Sequence, residues 1–303
     1  MRYEEAVTAR NRWLTAQHDH WRKGAARETV AAPAGIAVGI IGREGEYRVA
    51  VRTIDRSAET RRLVRAIEDE VGKGQIDERH IGVAELLSAR DEVRPLEIGL
   101  SCSTEFGNVG TIGCFVHREN TQSPTFLLSN AHVIARPADQ KIIQPAASHF
   151  GDKQIALFTE AFPTNRKHNL VDAAIAEVDV ATSRRIRDQA RVLRGQRMTP
   201  TTEGIAVYKV GAATERTDGA LGAELMNDVP VEFGPGDIRF FDDQLEIVGV
   251  NGAFADRGDS GSLVVDGDDL AVGLLFARST IDSRIAFANL MGEVLAKLRV
   301  ELA

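Results

Sequence analysis

From Gly110 onward the chain breaks into short β-rich runs separated by turn signals, and this constrains its fold more than any other feature. The runs are 111–116, 125–128, 141–144, 173–178, 206–210, 244–250, 262–265 and 271–276. Many short strands at such spacing are incompatible with a helical bundle or a doubly wound parallel sheet. They predict an all-β barrel or sandwich. In the last segment, 288–302, Leu290, Val294 and Leu298 fall at i, i+4 and i+8, which predicts a C-terminal helix packed on that barrel.

The first 92 residues have a different character. Val7, Leu14 and Trp21, widened by Ala6 and Trp13, make an apolar stripe that predicts an amphipathic helix over 2–23. Two strand-like runs, 36–41 and 47–54, flank Gly42-Arg43-Glu44-Gly45, a hairpin signal. Ser57 is placed to cap a helix with Leu63, Val64, Ile67 and Val71 on one face, ending at Gly72. A short strand is expected over 80–86. The polar run Asp91-Glu92-Val93-Arg94-Pro95 marks a boundary, giving a small α+β domain at 1–92 and a β domain at 96–303.

The chain has 303 residues, enough for two ordinary domains with a buried core. Lys and Arg number 37 against 44 Asp and Glu, a net charge of -7, which disfavours a dedicated nucleic-acid binder. Arg184, Arg185, Arg187, Arg191, Arg194 and Arg197 form a basic run, but no aromatic residue is interleaved and a solvated face is expected. No apolar run approaches bilayer length, and the N-terminus lacks an apolar signal core. Two cysteines, Cys102 and Cys114, make no disulfide framework. The expectation is a cytoplasmic protein with reduced thiols, no metal or other cofactor, and no membrane or nucleic-acid partner.

Three short motifs carry chemistry. In Gly258-Asp259-Ser260-Gly261, glycines on both sides of a serine allow a tight turn that exposes the hydroxyl and backbone N–H groups. By itself the motif is also a good β-turn. In 127–134, an apolar strand ends in Ser129-Asn130-Ala131-His132, and histidine is the usual base for a serine nucleophile. In 169–176, Asp172 stands at the mouth of an apolar strand, where burial would require a partner such as an imidazole N–H. Asp152 and Asp179 are rival candidates for that role, and an exposed strand-start aspartate is the plain alternative for Asp172.

Together these motifs, in the order His132, Asp172, Ser260, resemble the chymotrypsin/trypsin-like serine peptidases over about residues 96–303. The resemblance implies a mainly β fold, a chymotrypsin-like double β-barrel with the C-terminal helix, preceded by the small α+β domain. It implies a Ser260 nucleophile, His132 as base, Asp172 as its orienting partner, and an oxyanion hole from the N–H groups of Gly258 and Ser260. The substrate would be a polypeptide. The stretches 208–214 and 217–219 look like the strand and turn before the second half of the barrel, and 271–277 looks like the strand that receives the substrate backbone. Gly110-Thr111-Ile112-Gly113-Cys114 is similar to a bacterial subgroup related to narrow-leaf-type plant proteins, in which a small strand–strand–helix–strand domain precedes the peptidase.

The chain also departs from that pattern. Ser262 stands where digestive members have a second glycine, and Val133 where a disulfide cysteine often follows the histidine. No Ile-Val-Gly-Gly-like start precedes Gly110, so a freshly cut amine is not expected to pair with Asp259. Lys209 matches the basic position that serves this purpose in bacterial secreted relatives, which predicts an Asp259–Lys209 ion pair. The resemblance walls the substrate pocket with Ala255, Asp256 and Arg257 on one side and Phe276, Ala277 and Arg278 on the other. Asp256 there would prefer a basic substrate residue if it faces the pocket, and has no such role if it is solvated. The N-terminal domain is expected to dock on the peptidase as a regulatory or partner-binding unit. A trypsin-fold binding scaffold with little proteolysis, or a latent effector in a bacterial stress or antiviral response, are the alternatives.

Overall fold

The computed structural model describes residues 1–24, 35–43, 46–82, 92–135, 140–146, 153–187, 189–198 and 203–303. The chain opens with α1 (Tyr3–Gly24), β1 (Ile36–Arg43), β2 (Glu46–Thr53), α2 (Ala58–Val71) and β3 (Ile76–His80). Then follow β4 (Leu96–Ile98), β5 (Ser101–Thr104), β6 (Gly110–Thr111), β7 (Cys114–Arg118), β8 (Phe126–Ser129), α3 (Ala131–Ile134), β9 (Lys141–Ile143), β10 (Gln154–Ala161) and β11 (Ala174–Val178). After β12 (Thr182–Ile186) and β13 (Gly195–Gln196) come β14 (Ala206–Gly211), β15 (Glu215–Asn227), β16 (Val229–Gly234), β17 (Asp237–Phe241), β18 (Gln244–Gly249), β19 (Leu263–Asp266), β20 (Leu270–Arg278) and β21 (Ile285–Leu290). The chain ends with α4 (Met291–Leu298) and β22 (Val300–Leu302).

Two antiparallel sheets form the body. One runs β22-β7-β8-β11-β10-β9-β5-β6 and curls into an open half-barrel. The other runs β14-β19-β20-β21-β18-β15 and closes on itself through β14–β15 pairing. Closure removes the exposed edges that an open sheet would leave for aggregation. The closed barrel carries a three-strand extension, because β1 pairs antiparallel with the C-terminal half of β15 through Val38–Asn227 and Ile40–Glu224. Gly39 permits this close approach, since a Cβ there would lie 2.2 Å from the Met226 sulfur.

In the N-terminal unit, Ser57 caps α2 by accepting from the Thr60 N–H, and Val64 and Ile67 bury against Ile36, Val38, Val49 and Val51. On α1, Ala6 and Arg10 are buried while Val7, Trp13 and Leu14 are half-buried, so the inward face is shifted from the expected stripe, and the Trp21 side chain is outside the described set. The strand expected at 80–86 lies earlier, at β3, and 83–91 fall outside the described residues. The sequence of β3 reads as polar because its Asp77 bonds the buried Arg52 at 2.8 Å instead of packing apolar surface.

The expected helix over 288–302 is shorter. Pleated β21 runs through Leu290, α4 covers only Met291–Leu298, and Arg299 takes a left-handed turn (φ 52°) into β22, which pairs with β7. Only the 291–298 stretch keeps the helical apolar spacing, with Met291, Val294 and Leu298 buried. The run at 111–116 is divided into β6 and β7, and the stretch 217–219, expected at a turn, lies inside β15. No helix among the described residues is long and apolar enough to cross a membrane.

Candidate active site

The three motif residues converge where the two barrels meet. Strand β8 delivers His132 at once into α3, a single helical turn. Asp172 lies two residues before β11, the neighbour of β8, and their register pairs Ser129 with Ala174. This adjacency brings the carboxylate to the imidazole. Asp172 Oδ1 accepts the His132 backbone N–H at 3.2 Å, and Oδ2 bonds the His132 Nδ1. With Nδ1 engaged, Nε2 is left as the nitrogen that can accept a nucleophile's proton.

Asp172 is fully buried and further held by groups that sequence reasoning missed. The Asn130 amide donates to the Asp172 carbonyl at 2.7 Å. The Asp172 N–H donates to Asn289 Oδ1 at 2.9 Å, and Asn289 donates onward to Gln244 at 2.6 Å. Asn289 and Gln244 stand on β21 and β18 of the closed barrel, so the aspartate is positioned by both barrels. Of the rivals, Asp179 is exposed and contacts Gln154, and Asp152 lies outside the described residues.

Ser260 lies on the turn before β19. Gly258 takes φ +106° and Gly261 φ +92°, values in which a Cβ is disfavoured. At Gly261 a Cβ would also stand 2.3 Å from both Ser129 Oγ and the Thr111 carbonyl. Thr111 of the half-barrel pins this turn across the barrel interface. Its N–H donates to the Ser260 carbonyl at 2.7 Å, and its hydroxyl to the Gly258 carbonyl at 2.7 Å. The N–H groups of Gly258 and Ser260 donate to no acceptor among the described residues. Such a pair of free donors beside a serine suits an oxyanion.

Asp259 and Lys209 are both fully buried, with Nζ 2.9 Å from Oδ2. The carboxylate also accepts from the N–H groups of Ala213, Thr214 and Asp256 and, at 2.6 Å, from the Thr214 hydroxyl. Lys209 donates to Thr214 and, at 3.0 Å, to the Glu215 carbonyl. Burial pulls the Lys209 ammonium below its ordinary pKa, and Asp259 opposes that pull. Every donor and acceptor here is matched, as a buried charge requires.

Ser260 Oγ and His132 Nε2 are both shielded from solvent, and neither has a hydrogen-bond partner among the described residues. The β16–β17 hairpin stands beside them. Phe233 packs edge-on against the His132 ring, centroids 5.9 Å apart, and stacks on Phe241, with the Arg239 guanidinium over its ring at 4.4 Å. Of the expected pocket walls, Ala255, Phe276 and Ala277 are buried, whereas Asp256 and Arg257 are exposed. Phe254 points into the closed barrel core with Leu221 and Ile247.

Away from this site, burial pushes both thiols, Cys102 and Cys114, up to about 12, so they are inert core groups. The arginine run is in part neutralised, Arg185 by Glu97, Arg191 by Asp269 and Arg197 by Asp266. Among the described residues no cluster of His, Cys, Asp and Glu is arranged to hold a metal ion.

No family model matches the chain, and no curated protein matches it. Solved structures do. A glutamic acid specific serine protease aligns with a TM-score of 0.50 and 17% identity over 69% of this chain and 100% of its own. Protease A of Thermobifida fusca aligns with a TM-score of 0.50 and 16% identity over 69% of this chain and 99% of its own. The fold is therefore the mainly β double barrel of the chymotrypsin-like proteases.

Proposed function

We propose that this protein is a serine endopeptidase that hydrolyses peptide bonds through an acyl-enzyme. The observation that carries the reading is the His132–Asp172 pair beside a serine on a glycine-flanked turn with two unused backbone donors. Ser260 Oγ forms a bond to the substrate carbonyl carbon as its proton passes to His132 Nε2. The negative oxygen that results is held by the N–H groups of Gly258 and Ser260. His132 returns the proton to the departing amine as the C–N bond breaks, and water then releases the acyl group by the same steps. Asp172 fixes the imidazole tautomer, and the Asp259–Lys209 pair holds the turn in its donor-exposing shape. The Gly110–Cys114 phrase and the preceding β-β-α-β unit favour the bacterial, narrow-leaf-related subgroup, acting in the cytoplasm.

Fluorophosphonate labelling tests the reading. The wild-type protein is expected to be modified on Ser260, and Ser260→Ala to lose both label and cleavage, a fall of roughly four orders of magnitude or more. Undiminished labelling of the alanine variant would remove Ser260 as nucleophile. A second reading, a latent form of the same enzyme, is favoured by the shielded Ser260 Oγ and by Phe233 on His132. In it a partner at the N-terminal unit opens the site. A binding scaffold without chemistry has no comparable support.

A further inference from the structure

To present backbone N–H groups to an oxyanion, the serine turn must hold its peptide planes still. Each plane is rigid, with its N–H and C=O pointing opposite ways, so a carbonyl that is held fixes where the N–H of the same plane aims. The plane that carries the Ser260 donor is held at its Asp259 carbonyl, which accepts the Ser262 N–H at 2.8 Å. Its two neighbours are each held at both ends. The plane joining Ser260 to Gly261 gives its carbonyl to the Thr111 N–H at 2.7 Å and its N–H to the Leu275 carbonyl at 2.8 Å. The plane joining Gly258 to Asp259 gives its carbonyl to the Thr111 hydroxyl at 2.7 Å and its N–H to the Asp256 carbonyl at 3.0 Å.

Gly258 is the weak point of the turn. At φ +106° it has no Cβ to restrict its torsions, so the plane after it turns readily unless its carbonyl is held from outside. The Asp259 carboxylate takes the N–H groups of Ala213, Thr214 and Asp256, and none of these bonds reaches that carbonyl. The Thr111 hydroxyl does. A hydroxyl has one proton and a carbonyl oxygen can only accept, so the Thr111 proton lies on the bond to Gly258. Thr111 Oγ1 in turn accepts the Ala212 N–H at 3.1 Å, beside the two residues that donate to Asp259. The Thr111 carbonyl accepts the hydroxyl of Ser129, the last residue of β8 before the turn that carries His132, at 2.7 Å.

The polar groups of this one fully buried residue thus end on Ser260, on Gly258, on the loop that binds Asp259 and on the strand leading to His132. Valine has the shape of threonine and suits a buried strand as well, so packing alone does not call for the hydroxyl. Valine would leave the Gly258 carbonyl and the Ala212 N–H without the bonds they make here. We infer that Thr111 is a positioning residue of the oxyanion site, its hydroxyl locking the Gly258 peptide so that the two N–H donors of the serine turn keep their directions. The turn then has two anchors, the Lys209–Asp259 pair in the closed barrel and Thr111 in the half-barrel. This inference rests on the serine-peptidase reading.

The test compares the rate of Ser260 labelling by a fluorophosphonate, over a range of pH, in the wild type, Thr111→Val and Thr111→Ser. Thr111→Val is expected to lower the plateau rate about ten- to a hundredfold, as weakened oxyanion donors do, and to leave the pH midpoint in place, because the His132–Asp172 pair is untouched. Thr111→Ser, which keeps the hydroxyl, should restore most of that rate. A valine variant that labels like wild type overturns the inference. So does a shifted midpoint, which would mean a disturbed His132, or a serine variant as slow as valine, which would mean that the methyl group matters and the hydroxyl does not. Should the valine variant fail to fold, Thr111→Cys takes its place. Its thiol is a weaker donor, so it should label more slowly than the serine variant, and equal rates overturn the inference. In each of these outcomes the wild type reacts and the peptidase reading stands. If the wild type does not react at all, that reading falls, and this inference with it.

Discussion

A lysine with no solvent exposure is tolerated only where its charge is needed, and Lys209 meets that condition through Asp259. Losing one member of a fully buried pair typically costs about 3–5 kcal/mol. Lys209→Met is thus expected to lower unfolding stability by that amount and to cut turnover, because the loop from 256 to 261 is hung on the Asp259 carboxylate. Denaturant unfolding and peptide cleavage measure the two effects, and a methionine variant with full stability and activity would end the proposal. At this scale much was legible in the sequence. His132, Asp172 and Ser260 are conspicuous because each sits near a strand end or beside glycines, whereas Lys209 stands inside β14 and is singled out only by the resemblance to bacterial peptidases. Asn289, Gln244 and Thr111 did not. A neutral polar side chain in a strand gives no sign of whether its partner is water or a buried group on another sheet.

The β16–β17 hairpin was invisible as an element. Pro230, Gly234, Pro235 and Gly236 read as a loop, although Pro230 sits in a strand paired on only one side, where a missing N–H is harmless. Yet this hairpin sets Phe233 against the His132 imidazole. Phe233→Ala should increase the rate of Ser260 labelling by a fluorophosphonate several-fold if the ring holds the site closed. An unchanged or slower rate would make it a wall and no more. Asp228 lies at the base of the hairpin, and its N–H donates to Asp242 at 3.1 Å. Burial, and then the Asp242 carboxylate, push the Asp228 pKa from 3.8 up to about 6, against the opposing charges of His168, Arg10 and Lys167. The folded form therefore holds this proton more tightly than the unfolded chain. The stability so gained is full below about pH 4 and is lost as pH rises through 6, about 3 kcal/mol in all. Asp228→Asn, which suits the left-handed backbone there (φ 53°), should unfold at higher temperature than wild type at pH 8 and show a flatter pH profile. Equal melting temperatures at pH 8 would show the carboxylate to be solvated.

Across the whole molecule, the division at 92–96 describes the sequence better than the packing. The β-β-α-β pattern of the N-terminal unit was legible because its periodicities are local. Its joint with the barrel was not, because which strand edge β1 selects is decided by residues almost two hundred positions away. That joint is built like an interior. Ala37, Ile41, Ala50 and Ile81 share one buried cluster with Met226, Val231, Phe241 and the wall residues Phe276 and Ala277. Arg52 of β2 and Glu246 of β18, both fully buried, are ion-paired across it. The N-terminal unit thus packs against Phe276 and Ala277, the residues that the resemblance places in the substrate-pocket wall. Arg52→Met, which leaves the buried Glu246 with only a long 3.9 Å contact to Arg79, should cost about 3–5 kcal/mol. A chain starting at Pro95 would expose this apolar cluster together with the open edge of β15, both aggregation hazards. It is expected to aggregate or to unfold at markedly lower temperature than the full chain, and to recover labelling when residues 1–94 are supplied as a separate polypeptide. A truncated chain that stays monomeric, melts with the full-length protein and labels at the same rate would show the N-terminal unit to be an appendage, and would remove it from any regulatory role.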